Sequence, residues 1–311
     1  MSSQTSHLPT QTLNSSNDIE AAYRYCRETT RTHAKSFYFC TQFLPRRKRR
    51  AIYAMYALCR HVDDAVDAIC APQDEPAAQR AIAVWREELD AVYKDAPLSS
   101  NALAPVLNPV LIAWRDMLRQ YAIKQELPLE LMRGVLMDTH IKRYETWEEL
   151  RVYCYRVASV VGLMSSEIFG YTKPETLRYA EALGLAMQLT NILRDIGEDA
   201  RMNRIYLPQE DMRRFGYTES ELMRGELNDN FRALMRFQIE RARALYREAE
   251  KGIPLLNRDA RFTVLLAARL YARILDAVER NDYDVWTRRA HLSLAGKLRA
   301  APRIWRESRK L

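Results

Sequence analysis

Apolar residues recur every three or four positions through most of the 311-residue chain and almost nowhere at every second position. That period predicts helices. A first helix runs through AAYRYCRETTRTH (21–33), with Asn17 or Asp18 placed to cap it, and SFYFCTQFL (36–44) forms a short second one. Pro45 is suited to open a third, RRKRRAIYAMYALCRHVDDAVDAIC (46–70). APQDEP (71–76) breaks the pattern before helical AAQRAIAVWREELDAVYKD (77–95), and APLSSNALAP (96–105) reads as a loop. Two helices follow, on either side of Leu127-Pro128. A long one is expected from about Trp147 to Phe169, stopped by Gly170, and another from Lys173-Pro174 to about Asp199. RMNRIYLP (201–208) is irregular. Beyond Asn228 lie two or three more helices, interrupted near Gly252–Pro254 and Asn281–Asp284. No repeat of fixed period appears, and no linker is long enough to separate one domain from another. The expectation is an all-α fold of roughly a dozen helices, with a disordered lead at 1–17 and one domain over 18–311.

Composition agrees. Glycine is scarce at nine residues, and Ala, Leu, Arg, Glu and Met, which lose little entropy in a helix, fill the long stretches. The five cysteines, Cys26, Cys40, Cys59, Cys70 and Cys154, are odd in number and form no CxxC pair. A disulfide framework or zinc site is therefore not expected, and a reducing cytoplasm fits. No apolar run approaches the roughly 20 residues that span a bilayer. The polar start MSSQTSHLPTQTLNSSND lacks the apolar stretch of a signal peptide. The formal charge of +8 suits a generally basic protein, or one that meets nucleic acid, an anionic membrane or a small anionic substrate. The charge is spread along the chain apart from the cluster Arg46–Arg50. No zinc-finger, basic-zipper or RNP-like pattern accompanies it, so nucleic acid is not an expected partner.

Two aspartate motifs carry the chemistry. DDAVD spans Asp63–Asp67 and DIGED spans Asp195–Asp199, and no other Asp-x-x-x-Asp occurs in the chain. Spacing of four puts both carboxylates on one helix face, where they repel unless a cation stands beside them. A single such pair is as readily a solvated acidic face. Here each extends a polar line along an apolar helix: Tyr56, Arg60, Asp63, Asp67 in one, and Gln188, Asn191, Asp195, Asp199 in the other. With apolar residues over most of the remaining circumference, the lines are expected to face a polar cavity. Oxygen ligands without His or Cys select hard cations, and Mg²⁺ is commonly held by one or two carboxylates plus substrate phosphates. Arg60 and Arg194, ahead of Arg201 and Arg204, are candidates for the same phosphates, because a guanidinium fork matches their geometry. Surface ion pairing with the aspartates is the alternative. An allylic diphosphate that ionises leaves a carbocation, which needs a dry, apolar or π-rich wall. YCYRVASVVGLM (153–164), with Tyr153 beside small Ala158, Ser159 and Gly162, suits such a wall, and equally suits close helix packing.

Four ordered segments make the chain similar to the squalene/phytoene synthase family from about residue 18 to 300. They are KSFYFCTQFLP (35–45), RRAIYAMYALCRHVDDAVD (49–67), RYETWEELRVYCYRVASVVGLM (143–164) and QLTNILRDIGEDARMNRIYLP (188–208). The resemblance implies an all-α isoprenoid synthase fold around a central cavity. It implies Mg²⁺, with Mn²⁺ as a substitute, at Asp63, Asp67, Asn191, Asp195 and Asp199. It implies substrate or catalytic roles for Ser36, Tyr56, Arg60, Tyr153, Gln188, Asn191 and Arg194, with Arg204 and Tyr206 closing over the second motif, and an acidic position at Asp138. The form NILRDIGEDAR is nearer the phytoene-forming branch. The implied reaction joins two geranylgeranyl diphosphates head to head through a cyclopropylcarbinyl diphosphate, without a nicotinamide cofactor. The alternative is farnesyl diphosphate as substrate, giving presqualene diphosphate, dehydrosqualene or squalene. Three departures stand out: Ala34 where some members have serine, Asn203 where glycine is frequent, and His140 at an expected apolar site.

A hydrocarbon product and long-chain substrates also make a peripheral contact with an anionic membrane an expectation. Arg46–Arg50 is one candidate surface. The C-terminal segment is the other, where Leu292, Leu294, Leu298, Ile304 and Trp305 alternate with Lys297, Arg299, Arg303, Arg306, Arg309 and Lys310. A last helix packed on the core with a solvated basic face is the competing reading.

Overall fold

The computed structural model describes residues 16–67, 75–98, 108–290 and 294–311. Its helices are α1 Ser16–His33, α2 Lys35–Thr41, α3 Arg46–Asp67, α4 Glu75–Tyr93, α5 Pro109–Leu118, α6 Glu126–His140, α7 Trp147–Cys154, α8 Val160–Phe169, α9 Thr176–Arg201, α10 Gln209–Arg214, α11 Glu219–Arg224, α12 Asp229–Glu250, α13 Arg258–Arg280 and α14 Leu294–Ser308. No strand occurs among the described residues; the isolated bridges Arg143–Ile205 and Tyr171–Leu256 are the extended pairings there. The predicted disordered lead lies outside the described residues except for Ser16 and Asn17, which already belong to α1. Residues 71–74 of the predicted breaker APQDEP, the end of the third helix, most of APLSSNALAP, and Leu292 also lie outside them, as do the side chains of Leu294 and Lys297, while the breaker's last two residues, Glu75 and Pro76, already belong to α4.

The long helices follow the apolar period. α3 buries Ile52, Met55, Leu58 and Val62 against α1 and α5, where Trp114 and Met117 are fully enclosed. α9 is the hub of a second core, in which Leu189 and Leu193 meet Phe231, Met235 and Ile239 of α12 and Leu275 of α13. Two glycines permit close approaches between it and α8 with the segment before it. A Cβ on Gly162 would stand 2.7 Å from the Ala180 carbonyl oxygen, and one on Gly184 would stand 2.4 Å from Ser159 Cα. Only a hydrogen fits at either place. Cys26, Cys40, Cys59 and Cys154 carry no disulfide.

The structure differs from the periodicity in three places. The helix expected over 147–169 is interrupted by one π-helical stretch, Tyr155–Ser159, packed against Gly184 of α9. Periodicity does not register this, since a π turn inserts one residue without disturbing the flanking helices. The two helices expected around Leu127-Pro128 are α5 and α6, but they part at residues 119–125 and not at Pro128. Pro128 sits in the first turn of α6, where its missing N–H costs nothing. The span 209–224 holds the short helices α10 and α11, the latter opened by a reciprocal Thr218–Glu221 cap.

Candidate active site

A cavity of about 790 Å³ lies between α2, α3, α8, α9, α13 and the turn Gly252–Leu256. From α9, Thr176, Ala180, Leu183, Met187, Gln188, Asn191 and Arg194 line it. At 1.5 Å per residue this row is ~27 Å long. Apart from Thr176, its polar members lie toward the C-terminal end of the row, where Ser36, Tyr56, Tyr271 and Arg289 join Gln188, Asn191 and Arg194. The other end is largely apolar, closed by Phe169, Ile253, Leu256 and Val264, with the hydroxyls of Thr176 and Thr263 among them. Val157, Ala158 and Gly162 do form wall, while Ser159 turns away and donates to the Glu181 carbonyl at 2.9 Å. Segment 153–164 thus serves as both cavity wall and packing seam.

The aspartates stand beyond the polar end, farther along the same two helices. Asp63 follows Tyr56 by two turns of α3, and Asp195 and Asp199 follow Asn191 by one and two turns of α9. Burial raises the Asp63 carboxyl to about 6, and repulsion from Asp67, Asp138 and Asp64 adds to this against the opposing pull of Arg60. Asp199 is raised further, to about 7, by burial and then by Asp195, Asp138 and Glu198, with Arg204 opposing. Asp138 of α6 therefore acts on both motifs, and three helices bring their carboxylates into one field. Two arginines balance the second motif: Arg194 Nε donates to Asp195 Oδ1 at 2.8 Å, and Arg289 Nε reaches the same oxygen at 3.2 Å. Arg289 also pairs with Glu198 at 3.3 Å. On α3, Arg60 contacts Asp63 at 3.5 Å and Asp64 more tightly, and its buried Nε has no acceptor.

Asp138 is also the centre of a phenol cluster. Tyr153 Oη donates to one of its carboxylate oxygens at 2.9 Å and Tyr206 Oη to the other at 2.7 Å. Arg204 and Lys142 donate to its backbone carbonyl at 3.2 and 2.5 Å. The rings of Tyr153 and Tyr206 stack at 5.2 Å, and Tyr144 stacks on Tyr206 at 5.9 Å. Burial pushes the Asp138 carboxyl up, while the two phenols and the two cations hold it down. Burial, then the Asp138 charge, raises the Tyr153 phenol well above its ordinary value.

The expected site residues thus fall into three adjoining groups. Ser36, Tyr56, Gln188, Asn191 and Arg194 line the cavity. Asp63, Asp67, Asp195, Asp199 and Arg60 continue the two polar lines past it. Tyr153, Arg204 and Tyr206 gather on Asp138. Arg201, at the end of α9, is exposed. Asn203 keeps the loop that glycine would make: it adopts φ 57°, a conformation asparagine tolerates, and its side chain accepts from Arg143 at 2.9 Å. Ala34 lines the cavity, and His140 is exposed, 3.8 Å from Glu75. Sequence reasoning missed Arg289 and Tyr271. Arg289 lies in an irregular segment 94 residues from its partner Asp195, so no helical stripe marks it.

The donor set fits a hard cation. Carboxylates raised by burial and then by mutual repulsion gain from a positive ion between them, and Asn191 Oδ1 is a buried acceptor without a donor. Among the described residues no three acidic, histidine or cysteine side chains converge closely enough to bind an ion alone. An ion here would complete its shell with water and substrate oxygens, as Mg²⁺ does. No described helix is long and apolar enough to cross a membrane.

Known proteins give the same outline. The profile of the squalene/phytoene synthase family matches residues 30–295. The chain is 41% identical to a 15-cis-phytoene synthase of Synechocystis over 92% of its length and 85% of that protein. It is 40% identical to a phytoene synthase of Arthrospira platensis, covering 90% and 91% of the two chains. Among solved structures it resembles a ligand-bound dehydrosqualene synthase with TM-score 0.84 and 29% identity, covering 95% of this chain and 99% of that one. A squalene synthase from Alicyclobacillus acidocaldarius follows with TM-score 0.77 and 28% identity, covering 87% and 97%. The chain belongs to the squalene/phytoene synthase family, and its fold is the all-helical isoprenoid synthase fold.

Proposed function

We propose that this member of the squalene/phytoene synthase family condenses two geranylgeranyl diphosphates head to head to phytoene, as a prenyl transferase of carotenoid biosynthesis, with residues 18–311 acting as one catalytic domain. The observation that carries this reading is the shape of the site: a long apolar chamber whose polar end abuts two repelling aspartate pairs. Its similarity to phytoene synthases along nine-tenths of the chain supports the substrate and product.

Asp63, Asp67, Asn191, Asp195 and Asp199 would hold Mg²⁺, or Mn²⁺ in its place. Bound there, the ion supplies charge neutralisation for a leaving diphosphate. Arg60, Arg194 and Arg204 carry guanidinium groups to the same end and share the phosphate load, and Ser36 and Gln188 add neutral hydrogen bonds. Arg289, already oriented by Asp195 and Glu198, is placed to join them. The chamber excludes water from the allylic cation and packs the prenyl chains along α9 and α13. Tyr56 offers a π face at the chamber's polar end. The Asp138–Tyr153–Tyr206 cluster fixes two phenols beside the motifs, and with both phenolic protons directed at Asp138, their oxygens stay neutral near a developing cation. A nicotinamide is not required when the product is phytoene. We place the enzyme in the cytoplasm with a peripheral contact at the inner face of an anionic membrane, and nucleic acid is not a partner.

The dehydrosqualene synthase neighbour makes farnesyl diphosphate the competing substrate. Purified protein incubated with Mg²⁺ and each diphosphate, with and without NADPH, decides between them by product identification. Phytoene from the C20 substrate without NADPH is expected. C30 hydrocarbon formed faster than phytoene would overturn the reading.

A further inference from the structure

α14 lies over α13, and α13 is a wall of the chamber. Val264, Ala267, Leu270 and Tyr271 of α13 line the cavity, while Arg269 on another face pairs with Glu307 of α14 at 3.3 Å. The end of α14 is anchored at the chamber's closed end: Arg261 donates through Nη1 to the Leu311 carbonyl at 2.8 Å and through Nε to the carbonyl of cavity-lining Leu256 at 2.8 Å. Ala300 and Ile304 bury the inner face of α14 in the core.

The outer face has an unusual composition. Leu298 and Trp305, seven residues apart and so on one stripe, are 55% and 46% exposed. Around them Arg299, Arg303, Arg306 and, past the helix end, Arg309 and Lys310 are all exposed. The acidic side chain of this segment, Glu307, is turned inward to Arg269 and also accepts from Arg303 at 2.9 Å. Large apolar groups alternating with basic ones on an outward helix face form the pattern that lies in a lipid interface, with the apolar side chains among acyl groups and the cations at anionic headgroups. Exposed apolar side chains occur elsewhere on the chain, but here two share one stripe among basic residues, with Arg309 5.0 Å over the Trp305 ring.

We propose that the outward face of α14 docks the protein on an anionic phospholipid bilayer and sets the apolar chamber, one helix beneath it, against the membrane. This deepens the peripheral-membrane reading above and rests on it. It assigns the surface, and it fixes the orientation: chamber wall toward lipid, aspartate motifs away from it.

The test is sedimentation of the full chain with phosphatidylcholine vesicles, alone or with one-third phosphatidylglycerol, at low and high salt. Binding to the mixed vesicles is expected, with a blue-shifted tryptophan emission that Trp305→Phe removes. Each basic residue near the surface contributes about fivefold to partitioning, so Arg299→Gln/Arg306→Gln/Lys310→Gln should weaken it by about 100-fold. Leu298→Ser/Trp305→Ser should weaken binding without altering the helical spectrum. Neither set touches the chamber, so turnover of detergent-dispersed substrate should be unchanged. Failure of native protein to bind the mixed vesicles at low salt, or equal binding by both variants, overturns the proposal. So does light scattering that shows a native dimer abolished by Leu298→Ser/Trp305→Ser, because the face then meets a second copy. Intact turnover alongside absent vesicle binding would sink this proposal alone, whereas absent turnover under all conditions would sink the assigned reaction.

Discussion

Val264→Phe tests whether the chamber measures the prenyl chain. Val264 is 8% exposed and lines the closed half of the cavity, seven residues before Tyr271 at the polar end. At 1.5 Å per residue it stands ~10 Å deeper than Tyr271, and Ala267 stands ~6 Å deeper. A phenyl ring at 264 should displace the terminal isoprene unit of a C20 chain and leave a C15 chain in place. That unit has five carbons. At ~0.8 kcal/mol for each carbon buried, its exclusion costs at most ~4 kcal/mol, or ~1000-fold in kcat/KM. Partial folding of the chain into remaining space lowers the loss, so the expected fall for geranylgeranyl diphosphate is between ~10-fold and ~1000-fold. The rate with farnesyl diphosphate should stay within a few-fold. Ala267→Phe, nearer the mouth, should depress both substrates. The assay is steady-state hydrocarbon formation from each diphosphate, with thermal melts to confirm that both variants fold. If both melt normally and the C20-to-C15 ratio moves by less than twofold, prenyl chains do not lie along α13.

Three further outcomes follow from the polar groups. Asp138→Asn can no longer accept from both phenols, so kcat should fall about 10- to 100-fold, the value of one charged hydrogen bond, while helical content is kept; unchanged kcat would make the cluster purely structural. Asp199 binds its proton up to about pH 7 when folded, but an unfolded aspartate does so only to ~3.9, so the native state takes up protons as pH falls. In chelator the melting temperature should therefore rise from pH 8 to pH 5.5, and Asp199→Asn should flatten this trend; a native protein that loses stability over the interval with the same slope as the variant would refute it. Thr263 Oγ1 is buried in the chamber wall without a partner, so Thr263→Val should stabilise by ~1 kcal/mol, raising the melting point by ~2 °C, and a lower melting point would show that the hydroxyl is satisfied.

Much of the site was legible because it lies along helices. Tyr56, Arg60, Asp63 and Asp67 share one stripe of α3, and Gln188, Asn191, Asp195 and Asp199 share one of α9, so a period of 3.6 sufficed to group them. The small residues of 153–164 left wall and packing equally open, and the structure divides them, with Ala158 and Gly162 in the wall and Ser159 in the packing seam. What sequence spacing could not convey was assembly between helices. Asp138 emerges as the link between the motifs only when α6 brings it near both Asp63 and Asp199. Arg289 reaches Asp195 from a segment without regular structure, and the π turn at Tyr155–Ser159 is recognisable only from its hydrogen bonds and its seat against Gly184. These are long-range facts, and periodicity is a local signal.

The two ends of α3 show why the fold suits its chemistry. The helix is 22 residues long and so ~33 Å from end to end. Asp63 and Asp67 occupy its C-terminal turns, and Arg46–Arg50 its N-terminal ones, where Lys48 donates to the Phe169 carbonyl at 2.7 Å at the chamber's closed end. A reaction that releases diphosphate and hydrocarbon needs two exits of opposite character. Diphosphate leaves best into water, from carboxylates and arginines that are partly exposed, and the Asp63 side chain keeps 45% of its surface open. The hydrocarbon cannot leave that way without crossing the charged groups, because transfer of its apolar surface into water is strongly unfavourable. The proposed membrane contact puts its way out on the apolar side, between the side chains that close that end, where the tail of α14 is tied to Arg261 and the basic start of α3 is also found. A membrane at that side would take up the product and leave the opposite end in water, so the separation of charge along α3 matches the separation of the two products.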